Sequence, residues 1–211
     1  GNIINAGTGS AYSKSSNIKI DGQSFKFDKS SSILIAYKAK VILPEKNIEI
    51  NADELIYDQK TLLMKAIGNV EIYDFTNIIT FKSKEVSYNK TEETIFSNVK
   101  STFYDKAKNN FTSEKFTYTL NDSLLKISRA NILDQQNNKY YITKAYINLL
   151  TNKLIGKDIS LDLNNLTENN DPRIKGKTIK SDKDKTIIEK GVFTTCKRND
   201  DCPPWEFLAS K

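Results

Sequence analysis

Histidine is absent from this chain of 211 residues, and methionine and tryptophan occur once each. The first absence removes the commonest general base and the usual activator of a nucleophile. No glycine-rich phosphate loop, GxSxG elbow or HExxH pattern stands in for it. With 8 glycines and 4 prolines, collagen-like and low-complexity architectures are excluded. Apolar runs are short: the richest, such as Ser32 to Tyr37, have the length of a strand and fall well below the roughly 18 residues of a membrane span. Two cysteines without histidine do not complete a zinc site, so neither a metal nor another cofactor is expected. The adjacent acids Asp53 and Glu54, and Glu92 and Glu93, fall where a bend or turn would be solvated, and read as surface charge, not as a catalytic pair. A non-enzymatic protein is expected.

What is present is a repeat. Six segments share an apolar residue, a small residue two later and an apolar residue three further: IDGQSFKFD from Ile20, INADELIYD from Ile50, FKSKEVSYN from Phe81, FTSEKFTYT from Phe111, YITKAYINL from Tyr141 and a weaker IKGKTIKSD from Ile174. Their starts lie 30, 31, 30, 30 and 33 residues apart. The third column holds Gly22, Ala52, Ser83, Ser113, Thr143 and Gly176, and the sixth holds Phe25, Leu55, Val86, Phe116, Tyr146 and Ile179. A period of this length marks a stacked array of structural units.

Within a unit the apolar residues alternate with polar ones. Ile48, Ile50 and Ala52 face one way; after a one-residue slip at Asp53 and Glu54, Leu55 and Tyr57 continue that face. Period-two alternation predicts a strand with one buried side, and the slip predicts a bulge or bend. A second strand follows each first one, as in Val70 and Ile72, with counterparts around Val41, Val99, Ile132, Ile159 and Val192. No helical periodicity of comparable quality is found. Paired strands of this kind bury their apolar face only by stacking, so the fold class expected is all-β, an elongated open roll of stacked antiparallel two-strand repeats over residues 16–195. Residues 1–15 are polar, small and aperiodic and read as a flexible lead-in. The stretch Asn164 to Arg173 reads as a surface loop.

The net charge of +6 suits either an anionic partner or a lysine-rich composition without further meaning. Interleaved lysines and aromatics, as in FKSKEVSYNK, do not indicate nucleic acid, because alternation sends the aromatics inward and the lysines outward. After the last repeat come Cys196 and Cys202 in CKRNDDCPPWEFLA. A disulfide, between them or to cysteines elsewhere, is the favoured reading and places the chain in an oxidising compartment. Pro203, Pro204 and Trp205 mark residues 196–211 as a boundary leading to another domain.

The units NADELIYD and AIGNVEIYD, Asn51 to Asp58 and Ala66 to Asp74, resemble the OstA-like repeat of the lipopolysaccharide transport proteins, a family that includes LptA, LptC and the periplasmic part of LptD. The resemblance covers essentially the whole repeat region. The ending with Cys196, Cys202, Trp205 and Ala209 looks like the junction at which the LptD type passes into its outer-membrane β-barrel, and LptC would be expected to carry an N-terminal membrane helix. The resemblance implies a twisted, V-shaped β-jellyroll in the periplasm, attached to an outer-membrane protein, whose interior holds lipid A acyl chains. The inward columns Ile50, Leu55, Tyr57, Val70, Ile72, Phe81, Val86, Tyr88, Val99, Phe111, Phe116 and Tyr118 would then line a lipid groove, and the outward Lys82, Lys84 and Lys100 would face lipid phosphates. It implies LptA as a partner through a first edge strand containing Ile18, Ile20 and Phe25, and LptE and the barrel as further partners. In the best-known family pattern one cysteine precedes the jellyroll; here both follow it, which leaves the disulfide partners open. Two other readings compete with the LptD type: an LptA-like periplasmic carrier, and a carbohydrate-binding or adhesin-like β-repeat domain that would present exposed aromatics on a sealed core. A β-helical polysaccharide enzyme is a weaker third.

Overall fold

The structure is a computed structural model and describes residues 2–14, 16–164, 171–196 and 207–209. It is all-β and antiparallel. Strands β1 (Ile3–Ala6), β2 (Gly9–Ser13), β3 (Ile18–Gly22), β4 (Ser24–Asp28), β5 (Ile33–Leu43), β6 (Ile48–Asp58), β7 (Leu63–Asp74), β8 (Ile79–Asn89), β9 (Thr94–Ser97), β10 (Ser101–Tyr104), β11 (Asn110–Thr119), β12 (Leu124–Leu133), β13 (Lys139–Asn148), β14 (Lys153–Asp162), β15 (Arg173–Ser181), β16 (Thr186–Glu189), β17 (Gly191–Thr194) and β18 (Phe207–Ala209) form one sheet. The chain meanders, each long strand pairing with the next. The pairs β1/β2, β3/β4, β9/β10 and β16/β17 behave as single strands interrupted in the middle, each running along one neighbour.

The interruption belongs to a line that crosses the whole sheet. Register skips Lys38 opposite Asp53, Glu114 opposite Arg129, Thr143 opposite Asp158, and Asp158 opposite Lys177. In alternate rows the skipped residue is left-handed: Lys38, Asn69, Arg129, Asp158 and Lys190 have φ between 44° and 54°. Side chains secure this backbone, with Lys38 Nζ 2.5 Å and Asn69 Nδ2 2.7 Å from the two oxygens of Asp53, and Arg129 donating to Glu114 at 2.9 Å. Gly68 adjoins this cluster at φ +75°, where an added Cβ would lie 2.7 Å from Asp53 Oδ2. A row of aligned bulges bends every strand at its midpoint, and the sheet folds into two layers facing each other. Phe81, before the bend of β8, stacks on Phe116, after the bend of β11, with centroids 5.1 Å apart.

This bend explains the small third column. The inner corner has little room, and a slipped register frees carbonyl oxygens that need donors. Ser113 Oγ donates to Lys115 O and Ser128 O at 2.6 and 2.9 Å, and Ser83 Oγ donates to Glu85 O at 2.9 Å. At Gly176 a Cβ would come within 2.2 Å of Ile188 Cγ2 in the opposite layer.

Turns between rows open on Asp or Asn. Asp28, Asp58, Asp74, Asn89, Asp134, Asn148 and Asp182 each accept a backbone N–H two or three residues on. The N–H and hydroxyl groups of Ser30 and Ser31 hold the Asp28 carboxyl down to about 2, and similar bonds lower Asp58 and Asp182 below 3.8. A carboxyl depressed on folding contributes stability that is complete above its unfolded pKa, near 3.8, and disappears as pH falls through the folded value. The thermal midpoint is therefore expected to hold steady down to about pH 4 and to fall between there and about pH 2; a midpoint independent of pH in that window would show that these turns do not stabilise the fold.

Four expectations need correction. Residues 1–15 are not a featureless lead-in: Ile3–Ala6 pairs with β4 and Gly9–Ser13 with β3. An edge strand is held by backbone bonds while its side chains stay exposed, so it shows no burial periodicity. For the same reason Ile18, Ile20 and Phe25 are not on the edge; they are buried between rows, and the edge passes to β1 and β2 with Ile3, Ile4 and Tyr12 exposed. In the fifth unit the frame is one residue earlier: Ile142 and Ala145 are buried, while Tyr141 and Tyr146 point outward. Finally, Val99 does not face inward but is exposed in the break between β9 and β10. In the terminal segment Phe207–Ala209 pairs with Gly191–Phe193 of β17, and Cys202 and Trp205 lie outside the described residues. Cys196 is half-buried, its N–H donating to Thr194 Oγ1.

Candidate functional site: a cleft between the two layers

The edge of the sandwich opposite the bend is latched over its first two thirds. Tyr57 shares a hydrogen bond of 2.9 Å with Ser16. Tyr88 donates to Glu93 at 3.0 Å within the β8–β9 hairpin, and across the layers Tyr118 donates to Asp74, which also accepts from the Thr76 and Asn77 N–H groups and from Asn77 Nδ2. Asn77 bridges to Tyr118 Oη and Ser123 Oγ, and Lys46 reaches across to Asn121 at 2.6 Å. Burial first, and then the Asp74 carboxylate, raises the Tyr118 phenol above its ordinary value, so it stays a neutral donor. Asp74 is 3% exposed yet fully satisfied, which fixes the spacing of the layers at this rim.

Beyond that latch the layers part. Two adjoining chambers open between them, of about 360 and 410 Å3, and share Asn109, Phe111, Leu154 and Ser181. The first is walled by Ile79, Phe103, Leu125, Ile147 and Leu149; the second by Ile132, Tyr140, Ile142, Leu161, Ile174, Ile179 and Ile188. Lys106 and Lys183 line the mouth of the first chamber. Tyr140, in the second, donates to Asp134 at 3.0 Å, and burial, followed by that carboxylate, pushes its phenol up to about 12. In the fifth unit Ala145 stands where Leu55, Val86 and Phe116 stand in earlier units, and it pairs with Gly156.

The twelve inward positions read from sequence divide accordingly. Ile50, Leu55, Tyr57, Val70, Ile72, Phe81, Val86, Tyr88, Phe116 and Tyr118 lie in closed core at 2% exposure or less. Phe111 is the one that reaches the open chambers, and Val99 is outside. Ile147, Leu154, Ile174 and Ile188, which line the chambers, are not among the twelve, and of these Ile147 is the inward residue of the fifth unit once its frame moves from Tyr146 to Ala145. The outward Lys82, Lys84 and Lys100 do come together around one surface depression of about 390 Å3, although Lys82 is engaged with Glu71 at 2.7 Å. Among the described residues no group of three or more Cys, Asp or Glu is placed to hold a metal ion, and no helix is long and apolar enough to cross a membrane.

No protein-family model matches the chain, and no curated protein matches it in sequence. Among solved structures it is similar to LptH of Pseudomonas aeruginosa, the LptA-homologous periplasmic component of the lipopolysaccharide transport device, with 16% identity and a TM-score of 0.43 over 50% of this chain and 78% of that one.

Proposed function

We propose that the chain is a lipid-carrying periplasmic domain of lipopolysaccharide transport, in which acyl chains occupy the cleft between the layers while the phosphorylated head stays at its mouth. The observation that carries this reading is a largely apolar cleft between the layers whose lining includes Lys106 and Lys183 alongside Asp105. Apolar burial at roughly 25 cal/mol per Å2 holds a chain there, and ammonium groups at the mouth complement an anionic head. The finer assignment is the LptD-type domain, with residues 16–195 as the carrying unit and 196–211 leading toward a barrel. It rests on the repeat of Asn51 to Asp58 and on the ending with Cys196, Cys202 and Trp205. An LptA-like partner would then add a strand to the exposed β1/β2 edge, where Ile3, Ile4 and Tyr12 are presented, with LptE and the barrel at the other end.

Photo-crosslinking side chains at Ile147, Leu154 and Ile174, against the outward Lys82, test the reading. Lipopolysaccharide adducts are expected at the first three positions and not at Lys82. Equal adducts at all four, or none, would remove the cleft from the account.

A further inference from the structure

On the outer face of β12, β13 and β14, away from the cleft, the charge pattern changes. Elsewhere several outward lysines face carboxylates: Lys40 with Glu49, Lys65 with Glu85, Lys82 with Glu71, Lys180 with Glu189. Here Lys144 stands directly opposite Lys157 in register, and Lys126 stands opposite Tyr146. Like charges opposite one another on a sheet destabilise it. None of the three lysines forms an ion pair with a carboxylate among the described residues. The ring of Tyr146 gathers them: Lys126 Nζ is 5.8 Å and Lys144 Nζ 5.6 Å from its centroid. Lys144 foremost, with Lys126 and Lys157, lowers the pKa of its hydroxyl. Ile155, 54% exposed, pairs with Tyr146 on the next strand and supplies an apolar surface beside the cations.

We infer that this face is a binding site for the phosphate monoester of a soluble sugar, with Lys126, Lys144 and Lys157 converging on the phosphate and Ile155 and the edge of Tyr146 meeting the pyranose. A phosphate offsets the repulsion that the three lysines otherwise impose, and charge-assisted bonds from several ammonium groups are strong. A lipid bilayer is the poorer fit, because the apolar groups here lie within a sheet surface and, among the described residues, no amphipathic helix is available to insert. The site is on the opposite face from the cleft and stands whether or not the cleft carries lipid.

The test is a 1H–15N titration of the whole chain with glucose 6-phosphate, inorganic phosphate and glucose in parallel. Saturable shifts at Lys144, Tyr146, Ile155 and Lys157 are expected with glucose 6-phosphate, weaker ones with phosphate at the same residues, and none with glucose. Lys157→Gln should weaken binding roughly tenfold, raise the thermal midpoint of the ligand-free protein, and remove the stabilisation by glucose 6-phosphate. An absence of shifts at these residues would overturn the site, as would equal affinity for phosphate and glucose 6-phosphate. Binding to phosphatidylglycerol vesicles that is lost in Lys157→Gln, without any response to the sugar phosphate, would overturn the choice of ligand.

Discussion

Phe81→Ala should lower the unfolding free energy by about 3–5 kcal/mol, the cost of emptying a large site in a core that cannot collapse. The ring is 1% exposed, stacks with Phe116 and Tyr118 at centroid distances of 5.1 and 5.7 Å, and packs tilted against Phe103 at 5.4 Å. Two of those partners lie on the far side of the bend, so the substitution removes contacts within a layer and between layers together. Phe111→Ala provides the comparison. That ring stacks on Phe103 at 4.8 Å but borders the open cleft at 8% exposure, so its loss leaves a wider chamber where Phe81→Ala leaves a sealed void. A smaller cost is expected, read from denaturant midpoints for both variants. Equal losses would mean that the cleft is as tightly closed as the core.

Leu154→Arg is expected to reduce lipopolysaccharide binding at least about tenfold, a change of ~1.4 kcal/mol, with little effect on folding. Leu154 lines both chambers and is only partly buried, so an arginine there can turn its head toward the mouth and survive in the fold while placing charge on the acyl path. Ser87→Arg, on the outward face of β8, is the control and should bind as the parent does. Unchanged binding in Leu154→Arg would take the shared wall of the chambers out of the path.

Much of this architecture was legible in the residues. The alternation in Ile48–Asp58, with its slip at Asp53 and Glu54, gave strand, buried face and bend together, because a strand bent over a core must keep its apolar side inward across the bulge. The small third column likewise marked the corner. What stayed hidden depended on partners distant in sequence. Tyr118 reads as one more inward aromatic, and nothing local indicates that its hydroxyl meets Asp74, 44 residues away, to latch the rim. The β1/β2 edge buries almost nothing and left no pattern. Part of the cleft wall was hidden by the frame of one unit: Tyr146 satisfies an apolar column as well as Ala145 does, and only the layered structure shows that Ala145 and Ile147 are the residues inside.

The division between sealed core and open cleft is the central claim, and methyl NMR measures it directly. With isoleucine and leucine methyls labelled, addition of lipopolysaccharide should shift Ile147, Leu154, Ile174 and Ile188 while Leu55, Ile72 and Ile50 keep their positions. Shifts spread evenly over both sets, or confined to Leu55, Ile72 and Ile50, would contradict the account.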